Sequence, residues 1–263
     1  MKISHALKYI AFLRIAATQA SRARAELYGR AVFFAVILGV FSSLWRAVAE
    51  AGMPIAVEPR AMVWYLAITE WIMLSAPPVF LDIQEAVRRG DIVCQLGRPV
   101  AWVGATFAEG LGLLLVRGPV LFVTACVCAT AFTGWTPPLA VLAVVAPIGM
   151  AAAALITALW LGVGLLAFWL GDVGPVSWVW QKLMFVFGGL LMPIGLYPAF
   201  VRRIAPFTPF PAVLSRPASF VLQDNLDAAV PLVGNLVLWS VATAVLLIVL
   251  FRRAATALTV NGG

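Results

Sequence analysis

Thirty-two consecutive residues, Leu139 to Leu170, carry no Asp, Glu, Lys, Arg or His. A helix crosses roughly 30 Å of hydrocarbon with about 20 such apolar residues. Runs this long far exceed the tilted strands of a membrane barrel. Helices also satisfy their backbone polar groups within one segment, as lipid requires. The pattern recurs, so the expected fold is all-α and polytopic. Six transmembrane helices are read, at 31–49, 61–81, 101–131, 139–170, 176–197 and 231–251. The third and fourth are longer than needed, so tilt, kinking or projection beyond the bilayer is expected. Pro147 and Gly149 mark a bend in the fourth.

Composition agrees with this reading. Hydrophobic residues make up 63% of the 263 and charged residues 11%, which excludes an ordinary soluble globule. The net charge of +7 comes from arginines beside the spans rather than on one face. It therefore points to membrane orientation and not to nucleic acid. Three cysteines make no disulfide framework. Cys126 and Cys128 lie inside an apolar run as small core or lipid-facing residues. His5 is the only histidine, which excludes zinc motifs of the HExxH type, and no metal site is expected.

Lys and Arg concentrate in 1–30, in the 82–100 connection and at Arg252–Arg253. Six spans put all three on one side, the cytoplasm by the positive-inside rule. The mixed outer loops, with Arg202, Arg203 and Arg216 in the last, weaken the bias without reversing it. Residues 1–30 have no compact apolar core of the signal-peptide kind and read as a basic helix at the inner membrane surface, against lipid. Residues 31–251 form the six-span unit and 252–263 a cytoplasmic tail. The polar connections are too short to hold a soluble domain.

The stretch QEAVRRGDIVCQLGRPV, 84–100, interrupts this apolar chain with five charges. Placed on a helix from 82 to 90, Ile83, Ala86, Val87 and Gly90 share one weakly apolar face. Asp82, Glu85, Arg88 and Arg89 point away from it, and Gly90 suits the left-handed position past a helix end. Asp91–Leu96 reads as a second short turn, stopped by Gly97 and by Pro99, which disfavours helix at Arg98. Topology alone would ask only for positive charge. Three acids among three arginines also suit a docking surface for a cytoplasmic partner.

Glu70, Glu109 and Arg117 lie inside apolar runs, where an ionised group costs about 2.5–3.5 kcal/mol on insertion scales. Counting from the outer ends of their spans, Glu70 and Arg117 differ in depth by roughly 8 Å. A Glu70–Arg117 pair facing the bundle is expected, with Glu109 nearer the cytoplasm. Such charges serve either helix packing or a proton or substrate pathway. Residues 198–229 are too short and too broken by proline to span, which suits a re-entrant region on the outer side. Pro198, Pro206 and Pro217 punctuate it and Pro193 precedes it at the end of the fifth span, and the region with these four prolines reads either as a packed lid or as an outer gate.

IQEAVRRGDIVCQLGRPV, and above all Arg88-Arg89-Gly90-Asp91 and Leu96-Gly97-Arg98-Pro99, resembles the loop between the second and third spans in permeases of type-2 ABC exporters. It is especially similar to their small, six-span, domain-free subgroup related to antibiotic-resistance exporters. GGLLMPIGLYPAFVRRIAPFTPFPAVLSRP, with its prolines, is similar to the outer re-entrant region of the same family, and LYGR and LWRAV flank the first span as in that family. The resemblance implies that 82–100 is a coupling helix seated on a separate ATPase, through Glu85, Arg88, Arg89, Gly90, Asp91 and Arg98. It implies two ABC ATPase subunits, a second permease chain, identical or related, and ATP and magnesium held by the ATPases. A bacterial cytoplasmic membrane follows, with both termini inside and a hydrophobic or amphipathic substrate such as a drug, lipid or natural product. No phosphate-binding G-x-x-x-x-G-K-[ST] occurs, and none of Lys2, Lys8 and Lys182 follows a glycine. This chain is therefore not expected to be an enzyme or to bind a cofactor itself. The alternative is an ion-coupled transporter using Glu70, Arg117 and Glu109, although no inverted repeat is evident.

Overall fold

The computed structural model describes residues 2–52, 58–92, 100–223 and 226–261. Among them, every regular element is helical. Twelve α-helices follow in order: α1 (Lys2–Arg22), α2 (Arg24–Glu50), α3 (Pro59–Ser75), α4 (Phe80–Arg89), α5 (Trp102–Thr133), α6 (Leu139–Leu165), α7 (Ala167–Leu170), α8 (Gly174–Gly188), α9 (Ala199–Ile204), α10 (Phe210–Val213), α11 (Ser215–Phe220) and α12 (Ala229–Asn261). Five stretches are long and apolar enough to cross a membrane: Arg24–Glu50, Pro59–Arg89, Trp102–Thr133, Leu139–Leu170 and Leu226–Ala255. Pro77 and Pro78 divide the second of these into α3 and α4.

The span expected at 176–197 takes a different form. α8 has 15 residues, about 22 Å of helix, and Gly189 ends it in the left-handed conformation with φ 66°. It begins beside α4, where Gln84 Oε1 accepts the Val173 N–H at 2.8 Å. It ends beside the middle of α3, where the Tyr65 hydroxyl donates to the Gly189 carbonyl and the Thr69 hydroxyl to the Leu190 carbonyl. From there the chain continues through short pieces from Ile194 to Phe220. Proline is the physical cause, since it has no N–H to donate and clashes with the preceding turn. Pro193, Pro198 and Pro209 each sit at the start of a new piece.

α3 is the axis of the bundle. Every residue from Met62 to Ile72 is buried. The Trp71 ring stacks at a tilt on Phe122 of α5, with centroids 4.6 Å apart, and its indole N–H donates to the Gly118 carbonyl at 2.8 Å. Gly149 of α6 leaves the room this ring occupies; a Cβ there would overlap it. Trp64 donates to the Trp135 carbonyl one face-repeat earlier, at 3.0 Å. Small residues at such crossings are how helices approach in lipid, where apolar burial gives no drive.

The N-terminal helices pair with α5 in parallel. Tyr9 lies against Gly104, Leu13 and Ala16 against Gly112, Glu26 against Arg117, and Phe132 against Gly39. Between the Leu13 and Glu26 contacts the N-terminal chain advances 26 − 13 = 13 residues while α5 advances 117 − 112 = 5. The two helices therefore do not lie on one line, and Ala23, at ψ 52°, is the break between them. At the same end, Trp102 at the start of α5 stacks on Phe251 in the last third of α12, with centroids 5.7 Å apart.

Candidate functional site

α4 is the short charged helix at this end of the bundle. Its first residue, Phe80, stacks on Trp160 of α6 with centroids 4.7 Å apart. Ile83, 2% exposed, fills a notch at Gly164 that a methyl group would close. Gln84 holds the start of α8. The apolar face anticipated from Ile83, Ala86 and Val87 thus seats α4 on the end of α6 and on α7, with Ile83 carrying most of the burial.

The opposite face is charged and open. Glu85, Arg88 and Arg89 are exposed, and Arg89 Nε lies 2.6 Å from Glu85 Oε1, one helical turn away. Asp82 is in the first turn and both arginines in the last, the arrangement that the helix dipole favours. Gly90 adopts φ 76° and stops the helix. Asp91 follows, exposed, and Ile92 turns back into the core at 1% exposure. Arg98 and the Leu96-Gly97-Arg98-Pro99 motif lie outside the described residues, as does most of the expected second turn.

The charges expected to meet in the bundle do not. Arg117 Nη2 lies 2.6 Å from Glu26 Oε1 at the start of α2, not against Glu70. Depth was not the obstacle, because Trp71, next to Glu70, reaches the carbonyl of Gly118, next to Arg117. Direction was: successive helix residues point about 100° apart, so Trp71 faces α5 while Glu70 faces elsewhere. Glu70 is 7% exposed. Arg117 also lies toward the side of the membrane layer at which α5 begins. The 133 − 117 = 16 residues to the end of α5 span about 24 Å of a hydrocarbon layer near 30 Å.

Glu26 also accepts from Arg30 Nε at 3.0 Å, one turn along α2. Sequence reasoning passed over it as part of a basic segment. The signal was present, since Glu26 is the only acidic residue among the first 49. Glu109 is exposed and lines a cavity of about 300 Å³ between α1, the start of α4 and α5, together with Asp82 and Gln19.

The four prolines expected at an outer gate are not brought to one place. Pro198 and Pro206 are exposed, Pro193 is half-buried, and only Pro217, within α11, is in the packed interior. There α10 and α11 close over α8: Phe210 meets Trp180 edge to face at 5.1 Å, and Leu214 sits at Gly188.

A family model described as ABC-2 family transporter protein matches residues 60–262, more than three quarters of the chain and every element from α3 to α12. The chain belongs to that family. No match is found among curated proteins. In the ABC-2 family the multi-pass helical domain is the membrane component of transport, and such permeases work with ABC ATPase partners. The match takes in α4 and its surroundings, whereas α1 and α2, with Glu26, precede it.

Proposed function

We propose that this chain is the membrane-spanning permease of an ATP-driven exporter and that α4 with the turn after it docks on a separate ATPase. The observation that supports this most is the construction of α4. One face is fixed to the bundle by the Phe80–Trp160 stack, the Ile83 notch and the Gln84 hydrogen bond. The other presents Glu85, Arg88 and Arg89. A helix so rigidly seated passes a push on its outer face to α6 and α8 rather than absorbing it. Mixed charges on that face suit register on a complementary surface.

In this reading two ATPase subunits hold ATP and magnesium, and a second permease chain, identical or related, completes the path. The membrane is the bacterial cytoplasmic membrane, with both termini inside. The cargo is hydrophobic or amphipathic: a drug, lipid or natural product. Native purification tests the assembly. An ATPase with a phosphate-binding lysine motif is expected at stoichiometric level, and transport driven by protons with this chain alone would defeat the reading. The double variant Arg88→Glu, Arg89→Glu is expected to lower ATPase recovery at least tenfold, because reversed charges on a docking face cost several kcal/mol. Unchanged recovery and transport would reduce α4 to a topology signal.

A further inference from the structure

We propose that Arg117 is a two-position latch, which holds Glu26 at the α1–α2 joint in the observed state and exchanges it for Asp82 when α4 moves toward the bundle. This deepens the reading of α4 as the coupling helix and rests on it for its place in transport.

Four observations carry it. Arg117 uses Nη2 on Glu26 at 2.6 Å, while its Nη1 is buried without a hydrogen-bond partner among the described residues. A guanidinium has five donors in a fixed fork, and a buried donor left unused costs free energy that a second acceptor would recover. Asp82 makes no hydrogen bond or ion pair with a described residue and lies within electrostatic range of Arg117. The space beside Asp82 is open: a cavity of about 300 Å³ is walled by Val79 and Asp82, by Ala16 and Gln19 of α1, and by Glu109 and Leu113 of α5. Arg117 sits one turn beyond Leu113 on the same helix. Finally, Glu26 already shares Arg30, so losing Arg117 would not leave it as a lone charge.

The exchange gives α4 a route to the first span that does not pass through α6. In the observed state Arg117 ties the joint at Ala23 to α5. An inward shift of Asp82 draws the guanidinium away and frees α1 and α2 to turn about that joint. Discrete ion-pair exchange at a packed interface is how small displacements become two-state motions.

The test uses the purified full-length chain in detergent and needs no ATPase. Asp82→Asn is expected to leave the melting temperature nearly unchanged in the native background. In a Glu26→Gln background, where Arg117 is released to Asp82, the same change should lower it by roughly 2–4 °C. Asp82→Glu should not lower it, and the extra loss should vanish once Arg117→Gln is added. Equal cost of Asp82→Asn in both backgrounds, or a loss that persists without Arg117, overturns the latch. Should Glu26→Gln not fold, Glu26→Asp weakens the same pair and supports the same comparison. If no ATPase co-purifies, the coupling role of α4 fails separately, and the latch still stands or falls on these melts.

Discussion

α3 and α12 read alike in the sequence as apolar spans, yet they occupy opposite environments. In the span that contains α3, 72% of the most apolar stretch is buried, against 22% in the span that contains α12. The buried span is also the least hydropathic of the five. In a soluble protein the ranking would run the other way. In lipid, apolar side chains are needed on the outside, and the interior is where a helix can place groups that need partners. α3 uses its place in this way: Trp64, Tyr65, Thr69 and Trp71 each donate a hydrogen bond to a backbone carbonyl of another segment. α12 presents Val237, Leu238, Val241, Val245 and Ile248 outward instead.

The comparison breaks most visibly at Trp71. Its replacement by Ala removes a buried ring and a hydrogen bond, and a loss of about 3–5 kcal/mol is expected. Melting of the purified chain in detergent measures it, and a cost below about 1 kcal/mol would mean that α3 is not enclosed as described. Tyr65→Phe keeps the ring and deletes only the hydroxyl that holds Gly189. About 1 kcal/mol is expected, with faster hydrogen exchange confined to the chain just beyond α8. Uniformly faster exchange would contradict a local role. Val241→Leu on α12, at 58% exposure, is expected to change stability by no more than about 0.5 kcal/mol. A larger loss would show that protein, not lipid, covers that face.

Hydrophobicity announced the spans because long charge-free runs have only one solution in lipid, and Gly90 announced the end of α4 because its position demands φ > 0. What could not be read was facing. Composition does not say which side of α3 meets protein, so Glu70 and Arg117 were matched by depth while their directions diverge. Glu26 carried a usable signal as the lone acid in a basic stretch, but its partner lies 91 residues away, and no local pattern encodes such a distance. The Gly188-Gly189 pair and Pro193 were visible too. Hydrophobic residues continue past them to Tyr197, and hydropathy averages over the very breaks that make α8 short.

The parallel pairing of the N-terminal helices with α5 has a consequence for how the protein is made. A ribosome completes Glu26 long before Arg117, so the carboxylate is already present when the arginine emerges. Entering a bilayer alone, an arginine near the centre of a helix costs about 2.5–3.5 kcal/mol on insertion scales. Here the counter-ion arrives first, and α5 need not insert with a naked cation.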